Sequence, residues 1–228
     1  MIKFHPKSST LANFVEGTLP SVNSLIISAH CDMCPSCLDK IDELTQVAAN
    51  GVFSNDIVES VTHRDYISMF ECITREQSLV KTSIVETRNQ FIEVDGRKFS
   101  LPESLARLTG RIGEWSRLVG KLWLAPVDVG GPFLMQLLYM EKGGYVPEHT
   151  HKGNEISLVL SGQFDDGSYQ YSSGDYIALN QIHTHTPVSI SDGGCLVVVC
   201  LDKPLQFTKG WANLMNPLSQ LYFKVNTH

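Results

Sequence analysis

The sequence predicts an α + β chain in two parts, a small N-terminal helical bundle followed by a C-terminal all-β domain. Three observations carry that reading. Apolar residues recur at helical spacing through roughly the first eighty-five positions. At "FIEVDGRKFSL" two short apolar runs flank Asp95-Gly96, a strong hairpin signal. Beyond it come strand-like runs separated by glycine turns, the pattern of a sandwich or barrel.

The elements follow in order. Ser8 or Ser9 is placed to cap a first helix carrying Leu11, Phe14 and Val15, stopped near Gly17 and Pro20. Pro20 opens a second, "SVNSLIISAHC". "PSCLDKIDELTQVAAN" starts a third with Pro35 in its first turn and ends it before Gly51, and residues 54–74 form a fourth with Ile57, Val61, Phe70 and Ile73 near one face. After the hairpin, "LPESLARLTG" reads as a short helix ended by Gly110. The strands expected thereafter are "FLMQLLYM", "ISLVLSG", "SYQYSSGDYIAL" and "CLVVVC". The division is a helical domain over 1–85, a joint over 86–112 and an all-β domain over 113–228.

Charge and cysteine usage narrow the function. A net charge of −6 offers no basic face for nucleic acid, though an acidic surface suits a basic protein partner. The first domain's Asp32, Asp39, Asp42, Glu43, Asp56 and Glu59 read as a solvated face. No basic stretch leads into an apolar run at the N-terminus, and no apolar run reaches a membrane-spanning length. The expectation is a cytoplasmic protein with no membrane contact. Three of six cysteines crowd into "HCDMCPSC", which in such a compartment favours metal or thiol chemistry over structural disulfides.

That octapeptide presents His30, Cys34 and Cys37 as His-x3-Cys-x2-Cys at a helix–turn–helix corner, and "FHPKSS" offers His5 as a fourth ligand. Two imidazoles and two thiolates around zinc make a neutral, closed site able to pin three helices together. Cys37 lies near a helix N-terminus, where a thiolate is favoured. Cys34-Pro-Ser-Cys37 as a redox pair, Cys31 as a substitute ligand, and plain thiol packing are the competing readings. Cys72, Cys195 and Cys200 are read as core thiols; the last two point to opposite faces of one strand, with oxidation sensing as the alternative.

The second cluster lies in "GGYVPEHTHKGNEISLVLSG". His149 and His151 share one strand face and Glu155 follows after a turn; a further histidine comes from "GDYIALNQIHTHTP". Three neutral imidazoles and a carboxylate suit zinc, manganese or iron. The spacing of Gly143, His149, His151, Glu155 and Gly162 resembles the first motif of the cupin superfamily, a jelly-roll barrel. Gly174 with a histidine eleven residues on, His185, resembles its second motif, with Asn180 in place of the usual proline and Ile182 in place of the usual glycine. His183 competes with His185, because alternation alone places both on one face.

His-x3-Cys-x2-Cys in a short helical domain resembles the zinc-binding anti-sigma domain, and that domain followed by a cupin is similar to the ChrR-type anti-sigma factors. The resemblance implies that the helical domain wraps an extracytoplasmic-function-type sigma factor and blocks its access to RNA polymerase. It implies that the cupin is needed for release on singlet oxygen or organic peroxide, and that both domains carry zinc. The competing expectation is a metal-dependent cupin dioxygenase with an accessory helical domain.

Overall fold

The computed structural model describes residues 1–53, 63–75, 91–119 and 121–227. Helices come first: α1 (Ser8–Val15), α2 (Ser21–Met33), α3 (Pro35–Phe53) and α4 (His63–Arg75). Pro20 and Pro35 fall at helix starts, where a missing N–H costs nothing. α1 begins at Ser8 itself, with Lys7 as the uncapped entry residue. α3 runs two residues past Gly51. Ile57 and Val61 lie outside the described residues.

α2 buries Val22, Ile26, Ile27, Ala29, His30 and Cys31, a face set by steps of three and four. Ile26 and Ile27 are wholly buried, each contributing about 1.5–3 kcal/mol. α4 is different: from Tyr66 to Arg75 every residue is exposed, including Tyr66, Met69, Phe70 and Ile73 on one stripe. Cys72 is exposed too. This corrects the expectation of a core thiol: the helix that carries it presents its apolar face to solvent.

The hairpin forms where Asp95-Gly96 placed it, β1 (Phe91–Val94) against β2 (Arg97–Ser100), with both turn residues at positive φ (51° and 70°). The helix after it is only one turn, α5 (Glu103–Ala106), followed by a 3₁₀ turn over Thr109–Arg111. Asp32 at the end of α2 accepts the backbone N–H of Ser104 at 2.7 Å, which caps α5 and holds it against α2.

The β part comprises β3 (Ser116–Leu118), β4 (Leu122–Val127), β5 (Leu134–Met140), β6 (His149–His151), β7 (Glu155–Ser161), β8 (Gln163–Asp165), β9 (Gln170–Ser172), β10 (Tyr176–Leu179), β11 (Thr184–His185), β12 (Val188–Ser189), β13 (Cys195–Leu201) and β14 (Leu205–Phe207). A six-stranded antiparallel sheet runs β10-β7-β13-β5-β4-β3. Two three-stranded sheets, β11-β6-β14 and β12-β8-β9, stand opposite it as a barrel wall. A 3₁₀ turn (Gly210–Met215) and α6 (Asn216–Val225) close one end. The Asn216 side chain mimics a strand here, accepting from Phe207 N at 2.8 Å and donating to Phe207 O at 3.1 Å.

The central strands β5, β7 and β13 of the six-stranded sheet are buried on both faces. Alternate residues Cys195, Val197, Val199 and Leu201 of β13 join the barrel interior. Leu196, Val198 and Cys200 join a second core with Ile26, Ile27, Val94, Phe99 and Leu105. The helices, the hairpin and the outer face of the sheet thus share one continuous core. Burial on both sides explains the unbroken apolar run "CLVVVC", and the opposite faces expected for Cys195 and Cys200 are found, both thiols buried.

Candidate metal centres

His5, His30, Cys34 and Cys37 converge, their ligand-type atoms all within 4.8 Å of one another. Each comes from a different piece of local structure. His5 precedes α1, His30 lies in the last turn of α2, Cys34 is the extended residue between α2 and α3, and Cys37 sits in the first turn of α3. His5 Nδ1 lies 3.5 Å from Cys34 Sγ and 3.4 Å from Cys37 Sγ. Cys31 is buried beside the group and is no part of it.

Two details fit a metal ion. His30 Nδ1 is 2.8 Å from the Gly174 carbonyl, which can only accept, so Nδ1 carries the proton and Nε2 keeps its lone pair. That Nε2 is wholly buried without a hydrogen-bond partner. Burial pushes the Cys37 thiol up to about 12, so it becomes a thiolate only with a cation beside it. Burial therefore outweighs the helix N-terminus expected to favour the Cys37 thiolate.

The surroundings of this cluster belong to the barrel. Asp175, fully buried in the turn between β9 and β10, accepts the backbone N–H groups of Lys3 (2.7 Å) and Phe4 (3.0 Å) through Oδ1 and that of Ser172 (2.7 Å) through Oδ2. Tyr176 N donates back to Phe4 O at 3.0 Å. The residue before His5 and the ring of His30 are thus tied to one turn, 174–176. Gly174 has φ +91°, and a Cβ there would run into the Ile2 side chain.

The second cluster is His149, His151 and His185. β6 supplies the first two, both turned inward with Thr150 between them, and β11 pairs His185 directly opposite His149. His149 Nδ1 donates to Pro147 O at 2.9 Å, leaving Nε2 as an acceptor 3.0 Å from His185 Nε2. Both ring nitrogens of His151 and the Nδ1 of His185 are buried without hydrogen-bond partners. Burial holds His149 down at about 3 and His151 at about 4, and it lowers His185 as well. Three neutral imidazoles facing inward are a donor set ready for a divalent cation.

Glu155, at the start of β7, stands at the edge of this cluster, Oε2 3.3 Å from His151 Nδ1, while Oε1 accepts from Ser157 Oγ at 2.8 Å. It falls outside the group whose ligand atoms are mutually close. Burial raises it to about 7. His183 is excluded by geometry: β11 contains only Thr184 and His185, and the His183 ring binds Asn180 Oδ1 at 2.9 Å in the preceding turn. The shared strand face expected for His183 and His185 is therefore not formed.

Three polar residues about these centres went unnoticed in the sequence: Asp166, with Oδ2 3.8 Å from His185 Nδ1, Asp175, and Gln136 inside the barrel. Asp175 follows Gly174 in the second motif, where its position was the available signal. Beside the histidine cluster the barrel holds a partly open cavity of about 160 Å³.

A helical unit with a four-ligand cluster, fused to a cupin barrel with a histidine cluster, defines the class of protein. Residues 128–204 match the ChrR cupin-like domain family. The likeness extends well beyond the barrel: the chain is 26% identical to the anti-sigma-E factor ChrR of Cereibacter sphaeroides over 223 residues, 96% of this chain and 99% of that one. It also superposes on the crystal structure of Rhodobacter sphaeroides SigE in complex with the anti-sigma ChrR. The TM-score is 0.65 at 25% identity, covering 89% of this chain and all of the matched one. The chain is ChrR-like in both its parts.

Proposed function

We propose that this chain is an anti-sigma factor. Residues 1–85 sequester a sigma factor of the extracytoplasmic-function type, 86–112 form the joint, and the barrel over 113–228 governs release on an oxidative signal, singlet oxygen or an organic peroxide. The observation that carries this beyond likeness is α4, whose Tyr66, Met69, Phe70 and Ile73 are left in solvent along one stripe. An exposed apolar stripe of this kind is a docking face. The relative it resembles is an anti-sigma factor crystallised with its sigma, which supports a regulatory rather than an enzymatic role. The partner acts with RNA polymerase, which places the chain in the cytoplasm; among the described residues no helix is long and apolar enough to cross a membrane.

His5, His30, Cys34 and Cys37 hold zinc in this reading, a closed tetrahedral clip. His149, His151 and His185, with Glu155 as the carboxylate beside them, hold a second ion that is zinc, manganese or iron. The bonds from Asp175 to the N-terminal segment and from His30 of α2 to the Gly174 carbonyl give the barrel a direct hold on the zinc ligands, by which a change at the barrel shifts the helical unit.

The test is promoter-specific transcription by RNA polymerase carrying the sigma factor. Wild-type chain abolishes it. Phe70→Asp, fully compatible with folding at an exposed position, restores it and weakens sigma binding by at least tenfold. Unchanged inhibition by Phe70→Asp sinks α4 as the docking face.

A further inference from the structure

The barrel cavity has one feature that neither sigma binding nor metal binding uses. Most of its wall is apolar, formed by Leu122, Leu138, Met140, Ile177, Val199 and Phe207 among others, with His149, Glu155, Ser157, Asp166 and His185 as polar groups beside Gln136. On β5 the inward positions run Leu134, Gln136, Leu138, Met140, so a single amide interrupts an aliphatic face. Gln136 is 6% exposed, and its Oε1 is wholly buried with no hydrogen-bond partner. Register places it across from Val199, which in turn faces Ser157, the hydroxyl bound to Glu155. Such an orphaned acceptor costs stability unless something in the cavity donates to it.

Size limits the donor. An apolar cavity of about 150 Å³ takes a benzene-sized molecule, and this one is about 160 Å³. We propose that the barrel binds a compact apolar molecule the size of a single six-membered ring, bearing one hydroxyl whose hydrogen is donated to Gln136 Oε1. Because His149, Glu155 and His185 also wall the cavity, the occupant sits directly against the histidine cluster. Gln136 is the specificity-determining residue: Ser157 and Glu155 are already bonded to each other, whereas Gln136 Oε1 is an acceptor left open for a hydroxyl, which would otherwise lose its water without replacement. The inference does not depend on the sigma partner and is tested without it.

The experiment is titration of the full-length, metal-loaded chain with phenol, toluene and anisole by isothermal calorimetry, in wild type, Gln136→Leu and Leu138→Trp. Phenol binds wild type at least as tightly as toluene, and anisole, which cannot donate, behaves like toluene. In Gln136→Leu the ratio of phenol to toluene affinity falls about tenfold or more, with toluene binding retained. Leu138→Trp fills the cavity and stops both. Gln136→Met serves the same comparison if the leucine variant does not fold. Binding of no probe to wild type overturns the proposal. So does anisole matching a tighter phenol, or a phenol preference that survives in Gln136→Leu, which would assign the hydroxyl to the metal.

Discussion

The two ligand clusters use the same side chain, a buried neutral histidine, for opposite ends. The N-terminal cluster gathers its four residues from the segment before α1, from α2 and α3 and from the residue that joins them, three of them buried and His5 exposed. The barrel cluster takes its histidines from two paired strands of one rigid wall, with a cavity against them. A site assembled from separate pieces holds those pieces together and is lost when any one leaves. A site mounted on a strand pair persists whether or not anything binds, and its open side can answer to small molecules. In the proposed reading the first acts as a clip and the second as a sensor.

The contrast is broken most forcefully by Cys34→Ser. The clip should lose one equivalent of zinc by elemental analysis and, with it, a metal contribution on the order of 10 kcal/mol to folding of α1–α3. Sigma binding should disappear. Survival of binding would mean that packing, not metal, orders the helices.

Asp175→Ala comes next, since it severs three buried backbone hydrogen bonds at once. It should destabilise the chain by roughly 3 kcal/mol in urea unfolding and free the N-terminal segment from the barrel. Retention of wild-type stability would remove the proposed link between the two centres.

His149→Ala sharpens the comparison from the other side. One metal equivalent should be lost from the barrel while sigma affinity stays within about twofold, because the strand pair carrying the site is held by its own ladder. Release of sigma by oxidant should be abolished. The smallest effect belongs to Cys72→Ser: exposed and off the apolar stripe of α4, it should change stability by less than about 0.5 kcal/mol and leave release intact.

The residues that gather in the two clusters were legible as candidate ligands because metal-site motifs have fixed spacings. His5, with nothing but a place before α1 to recommend it, was found by the need for a fourth ligand. What stayed hidden depended on neighbours distant in sequence. Asp175 serves amides 171 and 172 residues away, and the His30–Gly174 bond spans 144. Gln136 looked like an ordinary polar interruption in "FLMQLLYM" until the barrel closed around it. α6 was missed because "NPLSQLYFKV" buries no residue of its own and shows its meaning only as a cover for the barrel end. Cys72 misled because it was read onto an apolar helix face, whereas α4 is exposed on all sides from Tyr66 to Arg75 and Cys72 lies off its apolar stripe.

The central claim is that this chain holds a sigma factor. Its most direct test is affinity capture of the tagged full-length protein from its own cells, without oxidant, followed by mass spectrometry and metal analysis. The account predicts one sigma factor at equal stoichiometry with zinc in the N-terminal centre. Recovery of the chain alone with iron in the barrel, consuming oxygen in the presence of a small organic substrate, would contradict it and make the protein a dioxygenase.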